Sequence, residues 1–388
     1  MTQESTTEKG GSGFEGVRLL LCENPPPPID EAIDAARAEL PRSNHYTEAY
    51  SEPLRDRLAD RAGVSADHIH VNAGSELILR QLFDRFGEQV HLLTPTYPLF
   101  PEIADRYTET RLRPEDDFQF DLRDLEIPEE TTLAVIVNPN NPNGSGFDME
   151  ALPGLLEQYP ETRFLVDEAF VDFVENPVAN LVPEYDNLFV TRTLSKAHSL
   201  AGFRIGYAVL PESVAAELNA SNDAYPLARP SQAAAIATLD HHQKIERRID
   251  RLRSWADQLA SELESVGVTT FPSQTYFFLA DVSPHDADEV AAKLRERKIF
   301  IKPLGDDRLG AGYLRVTTAR PEDNERVVEA FREILQCARA AIQSPFGGDP
   351  RSGGPRSLQV IALRPSFRSP RRTSGRSTRE RGRRRTRR

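Results

Sequence analysis

The stretch NLFVTRTLSKAHSLAGFRIGYAVL, residues 187–210, holds two short apolar runs, NLFVTRT (187–193) and RIGYAVL (204–210), with Lys196 in the turn between them. The same kind of run recurs upstream as VHLLTP (90–95), TLAVIVNP (132–139) and RFLVDEA (163–169), each bounded by Pro, Asn, Gly or a polar turn. Runs of this length and boundary predict buried strands. Helical stretches alternate with them, and the alternation predicts an α/β fold whose mostly parallel sheet is sandwiched by helices. Ligands of open sheets gather outside the carboxyl ends of the strands. Asn141, Asp167 and Lys196 all fall at or just past such ends.

Outward from this block, IDEAIDAARAEL (29–40) and YSEPLRDRLADRA (50–62) have apolar residues at helical spacing. From residue 231, SQAAAIATLDHHQKIERRIDRLRSWADQLASELESVG predicts one long helix ending at Gly267. Strand candidates TYFFLADV (275–282), IFIKPL (299–304) and YLRVTTA (313–319), with helices at 287–297 and 321–341, predict a smaller α+β domain. The expected organisation is an N-terminal arm contributing to the small domain (1–45), a large domain (46–240), the small domain (241–345) and a disordered Arg-rich tail (346–388).

A length of 388 residues and a hydrophobic content of 39% suit two packed domains. No apolar run of about eighteen residues exists, and the start, MTQESTTEKGGSGFEG, lacks the apolar segment of a secretion signal. The reading is a cytoplasmic protein with no membrane partner. Cys22 and Cys337 cannot make a disulfide framework and no Cys/His spacing suits zinc, so both read as core residues and no metal is expected. The formal charge of -12 conceals a division, because residues 351–388 carry fourteen arginines and one glutamate, leaving -25 on residues 1–350. With only six lysines, that acidic body predicts adaptation to high salt, where counterions screen self-repulsion. The tail can bind nucleic acid through phosphates or be a solvated extension, and its contrast with the body favours the second.

Lys196 is the candidate amine. A lysine forms an imine with a carbonyl cofactor only when deprotonated and held against it, which a buried strand end and a cationic neighbourhood favour. The bland alternative is a surface lysine in a loop. Asp167, after Phe164, Leu165 and Val166, is placed to keep a ring nitrogen protonated, the alternative being a helix cap. Asn141 in NPNNPNG (138–144) can donate its amide to a phenolic oxygen, although Asn-Pro and Asn-Gly are ordinary turn formers. AGSELILRQLF (73–83) sets Ala73, Gly74 and Ser75 before a helix whose first N–H groups can take a phosphate, and Arg204, Thr193 and Ser195 add a cation and hydroxyls. Together these are the parts that pyridoxal 5'-phosphate requires.

TLSKAHSLAGFRIGY and NPNNPNG resemble the fold-type-I pyridoxal-phosphate aminotransferases, most closely the branch of histidinol-phosphate aminotransferases and threonine-phosphate decarboxylases. The resemblance runs from LLLCENPPPP (19–28) to LRVTTARPEDNERVVEAF (314–331). It implies that Lys196 is the Schiff-base lysine and proton shuttle, Asp167 the ring-nitrogen partner and Asn141 the phenolic-oxygen partner. Arg204, Gly74, Ser75 and Thr193 would hold the phosphate, and Tyr97 in TPTYPLF would stack on the ring. Tyr46 in NHYTEAY would reach the phosphate of a neighbouring subunit, which implies a homodimer with shared sites. Arg315 would grip the substrate's α-carboxylate or its counterpart by a bidentate pair, with Lys302 and Asn24 completing the substrate set. Two positions depart from the family pattern. Phe170 stands where members often carry a tyrosine, so a second hydrogen bond to the phenolic oxygen would be missing. Lys302 stands where many carry arginine, a point charge in place of a fork.

Whichever bond at the substrate's Cα stands perpendicular to the cofactor ring is the one that breaks, so orientation chooses the reaction. The expected reaction is transfer of an amino group between a phosphorylated or otherwise anionic amine and 2-oxoglutarate, with histidinol phosphate the leading substrate. The alternative is a threonine-phosphate decarboxylase of cobamide synthesis, towards which DEAFVDF leans. A reading of another class is a non-catalytic protein of this fold that binds nucleic acid through its basic tail. Against it, no helix-turn-helix segment precedes the body.

Overall fold

The computed structural model describes residues 15–221 and 224–343, with side chains as far as Gln336. Residues 1–14 of the expected N-terminal arm, the Arg-rich tail and the Cys337 side chain lie outside the described residues. In chain order the strands are β1 (Val17–Arg18), β2 (Ile69–Asn72), β3 (Val90–Thr94), β4 (Tyr107–Arg111), β5 (Leu133–Val137), β6 (Arg163–Asp167), β7 (Leu188–Thr193), β8 (Gly206–Val209), β9 (Thr269–Thr270), β10 (Phe277–Asp281), β11 (Ile299–Phe300), β12 (Lys302–Pro303) and β13 (Tyr313–Thr317). The helices are α1 (Asp30–Glu39), α2 (Glu52–Ala62), α3 (Ser75–Phe86), α4 (Leu99–Ile103), α5 (Leu152–Gln158), α6 (Glu212–Ser221), α7 (Arg229–Asp240), α8 (His242–Ser265), α9 (Ala287–Glu296) and α10 (Pro321–Gln343).

Among the described residues, seven strands form the main sheet in the order β2-β8-β7-β6-β5-β3-β4. Strands β3 to β7 pair in parallel, and β8 runs antiparallel to both its neighbours. Every residue of β5 is buried, as a sheet covered on both faces requires. The alternation of side chains along it is visible in the packing. Leu133, Val135 and Val137 join one apolar cluster with Leu92, Leu165 and Phe189, while Ala134 and Ile136 join another with Phe164, Val166 and Val190. Gly206, at the start of β8, lets that strand approach the β2–α3 turn. A Cβ there would lie 2.0 Å from the Ser75 nitrogen.

A smaller antiparallel sheet, β12-β13-β10-β9, packs on α8, α9 and α10 through Leu263, Phe278, Leu294, Leu314 and Phe331. Val17 and Leu19 are buried in this same cluster, and β1 pairs in parallel with β11.

Three expectations need correction. The long helix from residue 231 is broken at His241, whose backbone leaves helical geometry (φ -116°, ψ 35°). There the ring nitrogen Nδ1 takes the Ala237 carbonyl at 2.8 Å, drawing a side chain onto an acceptor that the helix would use. IFIKPL is two strands in two different sheets, β11 against β1 and β12 against β13, separated by the buried Ile301. The strand expected at 275–282 begins at Phe277, since the Thr275 hydroxyl bonds the Phe277 carbonyl in a side-chain turn. Strands β2 and β4 were not expected. β2 (IHVN) is too short to stand out, and β4 (YTETR) is a polar edge.

Candidate active site

A cavity of about 400 Å³ opens where β5, β6 and β7 end. Val137, Asp167 and Thr193, the last residues of those strands, line it together with Asn141, Phe170, Ser195, Lys196 and Arg204. Parallel strands point their carboxyl ends to one side, so residues far apart in sequence meet there.

Lys196 rises from the loop after β7. Its Nζ donates to the Leu21 carbonyl at 2.9 Å and stands 5.4 Å from the centre of the Phe170 ring. Burial of the ammonium, with Arg315 as a further cause, lowers the lysine's pKa against the pull of Cys22, Glu23 and Asp167. Asp167 lines the cavity at the end of β6. Burial raises its carboxyl to about 6, against a 3.1 Å hydrogen bond from Thr191 and the Ala169 N–H. Tyr97 covers the cavity from the side and meets Phe100 edge-on at 5.8 Å.

Gly74 has φ +95°, and a Cβ on it would lie 2.3 Å from the Arg204 guanidinium. Its turn delivers the chain to α3, twelve residues long, whose first N–H groups have no side-chain cap. Ala73 N–H is committed to the Asn72 side chain at 2.8 Å, so Ala73 serves the turn and does not line the cavity. Thr193 Oγ1 lies 2.9 Å from Ser195 Oγ. An uncapped helix start, two hydroxyls and an arginine form an anion cradle. With a buried carboxylate and an amine lining the same cavity, this set of groups fits the phosphate, ring nitrogen and carbonyl of pyridoxal phosphate.

Other expected residues lie elsewhere. Arg315, 7% exposed, reaches Asn141 Oδ1 at 2.7 Å and the Leu20 carbonyl at 2.5 Å, and its Nε has no partner among the described residues. Asn24 does not face the cavity. Its amide grips the carbonyls of Lys196 and Ala197, both at 3.0 Å. Lys302 is exposed and outside the cavity lining. Tyr46 is 78% exposed and stacks on Tyr225 at 4.5 Å, away from the cavity of its own chain. At Phe170 no hydroxyl is available, and the neighbouring Tyr276 commits its own to the Cys22 carbonyl at 2.5 Å.

Sequence reasoning missed Glu23 and Glu76, both in the cavity wall. Glu76 follows the Ala73-Gly74-Ser75 turn directly, and Glu23 falls inside LLLCENPPPP, so both lay next to residues already singled out.

A site of this composition at the carboxyl edge of this sheet defines a pyridoxal-phosphate enzyme of fold type I. The chain belongs to the aminotransferase class I and II family, whose profile matches residues 18–331. It is similar to the histidinol-phosphate aminotransferase of Acinetobacter baumannii (strain SDF), at 30% identity over 331 residues, 82% of this chain and 91% of that one. In fold it is similar to histidinol-phosphate aminotransferase from Sinorhizobium meliloti in complex with pyridoxal-5'-phosphate, with a TM-score of 0.77 and 22% identity over 87% of this chain and 99% of that one. L-threonine-O-3-phosphate decarboxylase from Porphyromonas gingivalis has the same fold, with a TM-score of 0.74 and 23% identity over 82% and 99% of the two chains. The protein is a pyridoxal-phosphate-dependent aminotransferase.

Proposed function

We propose that the enzyme moves an amino group between a phosphorylated amine, histidinol phosphate foremost, and 2-oxoglutarate. The observation that supports a phosphorylated substrate is the pairing of Lys302 directly opposite Arg315 across β12 and β13. Like charges opposed on one sheet face are destabilising, and neither residue has an acidic partner among the described residues. Two adjacent cations, one buried and one open, suit a dianionic group. A single carboxylate would need only one of the two.

Pyridoxal phosphate, when bound, supplies an electron sink for the bond at the substrate's Cα that lies perpendicular to its ring. Lys196 would hold the cofactor through its amine and is placed to carry a proton, tasks that its lowered pKa favours. Asp167 would face the ring nitrogen, whose positive charge would restore the ionised form of the carboxyl. Asn141 would donate to the phenolic oxygen, Phe170 would leave that oxygen one donor short, and Tyr97 would cover the ring. Ser75, Thr193, Ser195 and Arg204 would hold the phosphate. Tyr46, exposed on its own chain, reaches the phosphate across a homodimer, and the enzyme works in the cytoplasm.

The test is the loaded protein mixed separately with histidinol phosphate, threonine phosphate and glutamate, following cofactor absorbance and released carbon dioxide. Conversion of the cofactor to its amine form without gas, fastest with histidinol phosphate, is the expected result. Gas with the original absorbance restored would make the protein a decarboxylase.

A further inference from the structure

Two positions beyond Lys196 is a side chain that the site leaves unused. His198 is 1% exposed, and neither ring nitrogen has a hydrogen-bond partner among the described residues. Its Nδ1 stands 3.6 Å from Oδ2 of Asp172, which is also buried and follows Asp167 on the next loop. Asp172 pairs with Arg61 of α2. Arg61 in turn donates to Nε2 of His242 at 2.8 Å, and the His242 ring lies over that of His198 with centres 6.1 Å apart. From the same helix, Arg248 donates to the hydroxyl of Ser199 at 2.6 Å, while Glu246 approaches His242 at 3.7 Å.

These groups fix the charge state of the cluster. Burial takes the His198 pKa down to about 4, with Asp172 pulling the other way and Arg61, His242 and Arg248 adding to the fall, so the ring is neutral at neutral pH. Asp172, although buried, is held below the ordinary aspartate value by the cations around it, of which Arg61 keeps its charge at neutral pH, and stays ionised. A neutral imidazole beside a carboxylate keeps its proton on the nitrogen that faces it. Nδ1–H is therefore directed at Asp172. An apolar ring of the same size would fill the space without desolvating two nitrogens, so the polar return on burying this imidazole lies in its approach to Asp172.

We propose that His198 is a positioning residue, whose Nδ1–H directed at Asp172 ties the loop carrying Lys196 to the loop that follows Asp167. The tie is anchored on α2 through Arg61 and on α8 through His242 and Arg248. It sets where the Lys196 amine stands over the cavity. This inference rests on the assignment of Lys196 and Asp167 to the cofactor.

The test compares cofactor-loaded wild type with His198→Phe, His198→Gln and Lys196→Ala. Four quantities are read: the pH midpoint of the bound cofactor's absorbance change, kcat, KM for the amine, and amide hydrogen exchange in residues 168–174 and 194–200. His198→Phe is expected to lower kcat about tenfold or more with KM within about twofold, the pattern of a lost contribution to the chemical step. Its absorbance midpoint should move by about half a unit or more, and exchange should quicken in both loops. His198→Gln, whose amide can donate to Asp172, should recover most of kcat and the midpoint. The idea is overturned if His198→Phe keeps the wild-type midpoint and exchange, whether or not it melts lower, because the imidazole would then be a packing residue. Lys196→Ala separates the two levels. Should it retain the lysine-bound absorbance, the cofactor assignment itself fails, independently of how His198→Phe behaves.

Discussion

Arg315 Nη1 donates to Asn141 Oδ1 across 2.7 Å, which gives the Asn141 amide a single orientation. A guanidinium can only donate, so the atom it meets must be the oxygen, and Nδ2 is left as the group able to donate into the cavity. The residue expected to hold substrate thereby aligns the residue expected to hold cofactor. Asn141→Asp keeps an acceptor for Arg315 and replaces the donor by an anionic oxygen. Its kcat/KM should fall about ten- to a hundredfold, on the order of 1.5–3 kcal/mol for one hydrogen bond to a charged group. The pH midpoint of cofactor absorbance should rise as well. Steady-state kinetics and a spectral titration check both, and wild-type values in each would remove Asn141 from the cofactor.

Asp167 sets a pH dependence in the cofactor-free protein. Its carboxyl is raised from 3.8 to about 6, first by burial. In the window between those values the folded chain binds more protons than the unfolded one, so stability is full below about pH 4 and is lost as pH rises through 6. The loss amounts to roughly 3 kcal/mol at 1.36 kcal/mol per unit. Asp167→Asn should be flat over this window and should melt above wild type at pH 8 when both lack cofactor. The order should reverse once pyridoxal phosphate is added, because the variant gives the ring nitrogen no charge. Melting curves at pH 5 and 8, with and without cofactor, decide it.

The sheet was legible because its central strands are covered on both faces and so read as unbroken apolar runs, as LAVIV of β5 does. β4 was not, since an edge strand carries polar residues such as Thr108, Glu109 and Thr110 and looks like a loop. In the site, Lys196, Asp167 and Asn141 were found from their place at strand ends, and the structure brings them to one cavity. What pattern could not reveal was the direction of a side chain. Asn24 and Arg315 were expected on substrate, yet their amide and guanidinium are engaged by backbone carbonyls of segments distant in sequence. The pairing of Lys302 with Arg315 likewise follows from sheet register, which short, irregular strands do not specify in advance.

Salt should stabilise this protein. Residues 1–350 carry a formal charge of -25, and exposed ion pairs such as Arg37–Asp34 and Arg326–Asp323 contribute little individually. Screening therefore weakens the net repulsion more than it weakens the pairs. The melting temperature is expected to climb steeply between roughly 0.1 and 2 M potassium chloride, well past the point where the Debye length has shrunk to about 3 Å. A flat or falling curve would rule out adaptation to high salt.

Directly behind Asp167, Glu168 is fully buried, and both Nε and Nη2 of the buried Arg192 meet its Oε2 at 2.7 Å. The second oxygen, Oε1, accepts the Val178 N–H at 2.8 Å. Arg192→Met would leave an ionised carboxylate in the core with one backbone donor, at a cost of about 3–5 kcal/mol. The double variant Glu168→Gln/Arg192→Met should recover much of that loss, because the charge needing a partner is gone. It should also lower the Asp167 pKa, to which Glu168 adds repulsion. In cofactor-free protein the fall in stability between about pH 4 and 6 would then shrink. Denaturant melts of the two variants across that range check both effects. Equal destabilisation of the single and double variants would show that Arg192 acts through packing of its stem and not by neutralising Glu168.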